Sequence, residues 1–224
     1  MLITMKPRAL VAEFIGTFAL LFVVFLTIKN FSGPVQLLAI ALGVGLTIMV
    51  MGTSFGPISG GHFNPCVSFG LWVAKKIDIG TMIAYWIVQA IGGIAAVFLA
   101  AYLLGPDGEA ARAGTAVGWG PGVDATRAII AEAIAAFFFL SVIFMTAVDS
   151  RAPKNGALYL GLTLTIGILA IGPISGGAIN PAVGLALSVG SSKWDTVLSW
   201  TVGPLLGAGL AGLAYTGLFE KQEA

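Results

Sequence analysis

One twelve-residue stretch occurs twice, first as Gly56-Pro57-Ile58-Ser59-Gly60-Gly61-His62-Phe63-Asn64-Pro65-Cys66-Val67 and again as Gly172-Pro173-Ile174-Ser175-Gly176-Gly177-Ala178-Ile179-Asn180-Pro181-Ala182-Val183. Nine of the twelve positions are identical, at an offset of 116 residues. A second echo at a similar offset pairs Ala12-Glu13 and Thr17-Phe18 with Ala131-Glu132 and Ala136-Phe137. The chain is therefore a duplication, a single domain over 1–224 with repeats at about 1–106 and 125–224.

The composition points to lipid as the solvent. Hydrophobic residues make up 58% of the chain and charged residues only 9%, against roughly 25% charged residues in soluble domains. The net charge of +1 offers no field to attract nucleic acid. A single cysteine excludes an internal disulfide. One cysteine and one histidine also leave too few ligands for a metal centre, so we expect no metal and no cofactor. The first apolar run is of spanning length and does not read as a cleaved signal.

The apolar runs predict six membrane-spanning helices and two half-length ones. A helix needs about 20 apolar residues to cross the bilayer. Six such runs lie at about 9–28, 35–55, 81–104, 128–148, 157–171 and 196–218. Two more, beginning at Asn64 and Asn180, have only about ten residues, roughly 15 Å of helix. These fit re-entrant half-helices, which are tolerated at membrane depth when buried or lining a watery cavity.

Three spans per repeat place the second repeat upside down relative to the first, and such repeats put their functional site near the midplane. Lysine and arginine placement then predicts the orientation. With the N-terminus inside, seven of these residues lie on the inner side and four on the outer side. We expect a multi-pass protein of the cell (inner or plasma) membrane with both termini in the cytoplasm.

Each Asn-Pro pair suits the start of a helix, with asparagine as N-cap and proline in the first turn. The preceding Ser-Gly-Gly is expected to run extended and to present carbonyl oxygens to a pore. Two half-helices entering from opposite faces would bring together two N-termini, each with roughly +0.5 charge. Such a centre opposes cations, including hydrated protons.

These residues resemble the aquaporin, or major intrinsic protein, family over essentially the whole chain. The family's Asn-Pro-Ala signature corresponds to Asn64-Pro65-Cys66 and Asn180-Pro181-Ala182. The resemblance implies a homotetramer with one pore per protomer, and it implies that the Asn64 and Asn180 amides donate hydrogen bonds to a passing solute. Glu13 and Glu132 look like the family's structural glutamates, which accept hydrogen bonds from the re-entrant loops. A proton-relay role is the alternative for a carboxylate inside a membrane.

The inferred selectivity filter departs from the family pattern. Family members usually have an arginine after the second Asn-Pro-Ala, where this chain has Val183. The family's other three filter positions, located by their distance from the two Asn-Pro motifs, correspond to Val44, Ile168 and Gly177. This filter has no charge, ring or side-chain donor, so it resembles a bacterial aquaglyceroporin-like subgroup that lacks the arginine. We expect a wide apolar neck that favours polyols such as glycerol or neutral metalloid hydroxides such as arsenite over water alone.

The remaining candidates each have two interpretations. His62 borders the vestibule together with Gly60, Gly61 and Gly176, or it is a hydrogen-bonded structural residue. Cys66 lines the pore and is open to thiol reagents, or it is a small buried hydrophobe.

Three other functional classes stay open at this point. A water-selective channel is disfavoured by the missing arginine and histidine, and a secondary transporter by the lack of a coupling-ion site. A membrane enzyme is disfavoured because no nucleophile, base and orienting group occur together.

Overall fold

The computed structural model describes residues 6–221, which form helices and connections without a β-strand in that range. The helices are α1 Pro7–Asn30, α2 Gln36–Ser59, α3 Pro65–Val73, α4 Ile79–Leu103, α5 Gly108–Gly114, α6 Ala125–Ile143, α7 Gly156–Ser175, α8 Pro181–Ser191 and α9 Val197–Ala214. Single π-helical turns, Phe144–Val148 and Tyr215–Phe219, continue α6 and α9. Six segments are long and apolar enough to cross a membrane. The predicted all-α architecture of six spans and two half-helices, α3 and α8, is confirmed.

Two predicted span ends were wrong by four residues each. The runs were expected to end near Phe55 and Ile171, but α2 and α7 continue to Ser59 and Ser175. Pro57 and Pro173 lie in the last turns of these helices. A proline in the last turn removes one hydrogen-bond donor, and the helix still closes because Gly60 and Gly176 donate to Gly56 and Gly172 at 2.8 and 3.0 Å.

The expectation that Ser-Gly-Gly runs extended was also wrong. Ser59 is helical, and Gly60 and Gly61 have φ of 92° and 65°. In the second repeat Gly176 and Gly177 have φ of 89° and 63°. Gly60 and Gly176 are the C-caps of α2 and α7, and glycine adopts the left-handed conformation without the usual steric cost. The chain therefore reverses sharply at the end of each long helix before it starts a half-helix.

The two repeats pack in matching ways. Helix α1 lies against α4 in the first repeat, and α6 lies against α9 in the second. The repeats meet along α2 and α7, where a Cβ on Gly45 would stand 2.5 Å from the Gly161 carbonyl oxygen and one on Gly161 would stand 2.3 Å from that of Gly45. Small residues allow this close approach of two membrane helices.

Loop contacts define two faces of the molecule. The terminal face carries the start of α1, the end of α9, and the connections at 74–78 and 149–155. The far face carries the connections at 31–35, 104–124 and 192–196. Between the faces the outer helix surfaces are apolar, with exposed side chains that include Leu42, Leu46, Ile87, Ile91, Ile130, Ile134 and Phe138. Exposed aliphatic bands of this kind suit contact with lipid.

Candidate functional site

The two Asn-Pro turns meet and hold each other at the centre of the bundle. The Asn64 side-chain amide donates from Nδ2 to the Ile179 carbonyl oxygen at 3.0 Å, and Asn180 donates to the Phe63 oxygen at the same distance. Each side-chain oxygen caps its own half-helix by accepting from the backbone N–H of Cys66 or Ala182 at 2.9 Å. An amide nitrogen carries two hydrogens, so this contact uses only one N–H of each asparagine.

Phe63 and Ile179 adopt the left-handed backbone conformation, with φ of 48° and 50°. This conformation is uncommon for residues with a side chain and an outlier for a β-branched one. It turns each residue's carbonyl oxygen toward the asparagine of the opposite repeat. The Phe63 ring occupies the place that a side chain at Gly16 would need, since a Cβ there would lie 2.1 Å from the ring. Backbone strain of this kind persists where surrounding contacts over-determine it.

Two wholly buried carboxylates organise the approach to each turn. Glu13 on α1 accepts from Ser59 Oγ at 2.6 Å, from the N–H groups of His62 and Phe63 at 2.9 and 2.6 Å, and from Gln89 Nε2 at 2.8 Å. The other carboxylate, Glu132 on α6, accepts from Ser175 Oγ at 2.7 Å and from the N–H groups of Ala178 and Ile179 at 2.9 and 2.7 Å. Four backbone donors that no helix satisfies are thereby paired.

A cavity of about 220 Å³ runs from the far face to the asparagines. The four residues of the inferred selectivity filter all line this cavity, together with Asn64, Asn180 and His62. The side chains of Val44, Ile168 and Val183 are less than a tenth exposed. No charged side chain of residues 6–221 belongs to its lining, whose other side chains are mainly aliphatic and include Ile40, Leu164 and Leu187.

A second group of cavities opens on the terminal face. One of about 310 Å³ is lined by Gly60, Gly61, His62 and Lys76, and a wider one of about 550 Å³ shares the two glycines and reaches Lys154. His62 thus belongs to the lining on both sides of the crossing. The third vestibule glycine, Gly176, lies on the far side instead. The described residues therefore form an apolar cavity, a polar crossing and a wider opening in series.

Comparison with known proteins gives the family. The family description "Major intrinsic protein" matches residues 3–215. The chain belongs to the major intrinsic protein family. It is 35% identical to aquaporin TIP2-1 of Arabidopsis thaliana, over 95% of this chain and 87% of that protein, and 35% identical to aquaporin TIP4-4 of Zea mays, over 96% and 88%. The X-ray structure of the aquaglyceroporin from Plasmodium falciparum superposes with a TM-score of 0.81 at 22% identity, over 94% of this chain and 96% of that one.

Family membership decides between the functional classes. Members of the aquaporin family are passive channels, so this chain is a multi-pass membrane channel for water or small solutes rather than an enzyme. The same finding excludes the secondary-transporter alternative. Within the part of the chain that the structure describes, no group of three histidine, cysteine or acidic side chains could hold a metal ion.

His62 both lines the cavities and makes a structural hydrogen bond, whereas Cys66 is a buried residue that lines none of the cavities described above. The His62 ring is 3% exposed and hydrogen-bonds through Nδ1 to Ser68 Oγ at 2.9 Å, while its Nε2 has no protein partner among the described residues. Cys66 is fully buried, and its Sγ lies 3.3 Å from the Ile179 carbonyl oxygen. The thiol thus contacts the same carbonyl as Asn64 and stays out of the cavity linings described above.

The connection between the repeats, residues 104–124, is rich in glycine. It contains the short helix α5 and then crosses the far face, where Ala116, Val117 and Gly118 line the far cavity. Trp119 Nε1 donates to Ser199 Oγ at 3.0 Å, and Thr196 Oγ1 donates to the Val117 carbonyl oxygen at 2.8 Å. The glycine-rich composition of this segment carried no signal for these contacts.

Proposed function

We propose that this channel passes water and small neutral solutes, with a preference for polyols such as glycerol or for neutral metalloid hydroxides such as arsenite. The observation that carries the proposal is the convergence of Val44, Ile168, Gly177 and Val183 on one cavity without a charged lining residue. An aliphatic neck gives water no side-chain partner to replace its lost hydrogen bonds. A solute with a hydrocarbon face loses less there, because its apolar surface gains contact with the walls.

The crossing supplies the polar contacts that the neck lacks. Asn64, Asn180 and His62 line the same cavity, where the second N–H of each asparagine and the unpartnered Nε2 of His62 are available to a solute. A hydroxyl-bearing solute can exchange its hydration for these groups. We assign Glu13 and Glu132 the structural role, since each carboxylate is occupied by at least three donors of its own loop and neighbours.

Ion exclusion in this proposal rests on two features. The N-termini of α3 and α8 converge on the crossing, and each carries roughly +0.5 charge. In addition, an ion in the neck would shed water without finding a charged or polar side chain, which costs several kcal/mol. The positive helix ends oppose the entry of cations only, whereas the loss of hydration in the neck opposes ions of either sign.

A water-selective channel is the second candidate. It is favoured by the low exposure of Val44, Ile168 and Val183, at 7, 4 and 8%, which indicates that neighbouring side chains narrow the neck. Both candidates share the fold and the crossing. They differ in whether the neck admits a molecule larger than water.

Stopped-flow light scattering on proteoliposomes separates the two candidates. Wild type, Val183→Arg and the matched apolar variant Val183→Leu are compared for water, glycerol and neutral arsenite. We expect wild type to pass glycerol or arsenite and Val183→Arg to pass mainly water, with Val183→Leu showing how much of that change comes from size alone. A wild-type protein that passes only water would reject the wide neck and favour the second candidate.

We further propose a homotetramer in a cell membrane with the terminal face in the cytoplasm. The exposed aliphatic helix surfaces offer area for contact between protomers, and seven of eleven lysines and arginines lie on the terminal side. Native mass spectrometry from detergent tests the tetramer. Labelling of a cysteine introduced at Lys154 or at Arg127, in a Cys66→Ala background, tests the orientation in intact cells.

A further inference from the structure

Lys76 is held at the terminal opening by the last described part of the chain. Its side chain lines the narrower terminal cavity, and its ammonium pairs with the Glu220 carboxylate and lies 5.5 Å from the centre of the Tyr215 ring. Neither Glu220 nor Tyr215 belongs to the lining of that cavity. The partners of the ammonium therefore lie outside the lining of this cavity.

The position of Lys76 follows from the turn at the end of α3. Lys75 has φ of 58°, and the Lys76 N–H returns to the Leu71 carbonyl oxygen at 2.8 Å. This reversal closes the half-helix and directs the next side chain along the terminal opening. The lysine stem is flexible and its ammonium is compact and strongly hydrated, so the contacts of the ammonium decide where the side chain lies.

A second set of contacts places Glu220. The π-helical turn at the end of α9 returns the Glu220 N–H to the Tyr215 carbonyl oxygen at 2.7 Å. The Tyr215 ring stacks on Phe144, and its hydroxyl donates to Asp149 Oδ2 at 3.3 Å.

Arg151 ties the same turn to the connection between α6 and α7. It binds both oxygens of Asp149 at 2.6 and 2.9 Å, and it donates to the Phe219 carbonyl oxygen at 2.7 Å. Glu220 thus extends from a turn that is fixed at three points.

We propose that Glu220 is a positioning residue that draws the Lys76 ammonium out of the terminal opening and so keeps this end of the channel unobstructed. The inference rests on the solute pathway proposed above. Without the carboxylate, the ammonium is free to turn into the cavity that the Lys76 side chain lines. A hydrated cation there occupies room that a passing solute needs.

The size of the effect follows from the exposure of the pair. The Lys76 and Glu220 side chains are 30% and 35% exposed, and partly exposed ion pairs shift a local equilibrium by roughly 1.4- to 5-fold. If pairing holds the side chain aside about five times more often than not, its loss leaves the opening free about half of the time. The neutral-solute permeability should then fall by roughly 40%, and by roughly 15% at the weak end of that range.

The test is a set of five proteins in proteoliposomes, with glycerol, arsenite and water permeability measured per reconstituted channel. The proteins are wild type, Glu220→Gln, Lys76→Met, the double variant Lys76→Met/Glu220→Gln, and the control Glu109→Gln. Methionine keeps an unbranched stem without the charge. Glu109 pairs with Arg112 on the far face and is 86% exposed, so its loss leaves the terminal opening unchanged.

We expect Glu220→Gln to lose roughly 15–40% of the permeability, and Lys76→Met, the double variant and the control to match wild type. Two results would overturn the inference while the channel itself still conducts. One is wild-type permeability in Glu220→Gln. The other is an equal loss in Glu220→Gln and the double variant, which would mean that Glu220 supports the turn and does not position Lys76. A wild type that passes none of the three solutes would overturn the proposed pathway itself, and this inference with it.

Discussion

Replacing Glu132 by glutamine tests whether the buried carboxylates hold the re-entrant loops. Glu132 Oε1 accepts from Ser175 Oγ and from the Ala178 N–H, and Oε2 accepts from the Ile179 N–H. Glutamine has nearly the same shape but replaces one of these oxygens by an NH₂ group. A donor would then face a donor, and at least one N–H of the loop would lose its partner.

The cost can be estimated from that lost pairing. A buried donor left without an acceptor costs about 1–3 kcal/mol. For a chain of this length, each kcal/mol lowers Tm by about 2–4 °C, so Glu132→Gln should unfold roughly 2–12 °C below wild type. Ile179 also supplies the carbonyl that Asn64 and Cys66 contact, so the solute permeability should fall as well.

Thermal unfolding in detergent, followed by tryptophan fluorescence, provides the measurement, and Glu109→Gln serves as the exposed matched control. The control should stay within about 0.5 kcal/mol of wild type. A Tm for Glu132→Gln equal to that of the control would refute the structural role. Dissipation of a pH gradient across proteoliposomes tests the relay alternative, because a loss of proton flux in the variant without a loss of Tm would favour it.

Three further predictions concern single positions. Gly177→Ala should lower stability by about 1–3 kcal/mol, because φ is 63° and a Cβ would lie 3.3 Å from Gly172 Cα, whereas Gly118→Ala, with open space around it, should not; thermal unfolding compares the two. Cys66 should resist maleimide in micelles and react fully after denaturation, and rapid labelling of the folded protein would place the thiol on the pathway. Arg151 holds the pKa of Asp149 below its ordinary value. The stabilisation from the Asp149–Arg151 pair should therefore be complete above about pH 4 and should be lost progressively as the pH falls below that value. The Tm difference between wild type and Asp149→Asn should therefore narrow on acidification, and a constant difference would contradict this.

The sequence was sufficient for the fold because the decisive signals are local and repeated. Apolar runs of spanning length predicted the six long helices, and the two Asn-Pro turns marked the starts of α3 and α8 at the correct residues. The two misjudged spans were predicted to end just before Pro57 and Pro173. At a proline, the apolar pattern alone does not distinguish a helix that stops from one that completes a last turn. In both cases a left-handed glycine decided the outcome.

The contacts across long sequence distances could not be predicted in the same way. The left-handed backbone of Phe63 and Ile179 depends on the opposite repeat, since the asparagine that each carbonyl meets lies more than a hundred residues away. The pairing of Lys76 with Glu220 likewise spans 144 residues. The Lys76–Glu220 pair carries no local signal, because single lysines and glutamates are ordinary on a solvated surface.

The support of the crossing is separate from the inferred filter, so we expect a substitution at Val183 to leave the crossing intact. The side-chain hydrogen bonds that hold the two turns run to Glu13, Glu132 and the opposite loop. The aliphatic side chain of Val183 can make none of them. Val183→Arg should therefore change which solutes pass, and Asn180 should still cap α8. If Val183→Arg instead lowered Tm as much as Glu132→Gln is expected to, the inferred filter and the scaffold would be coupled and this expectation would fail.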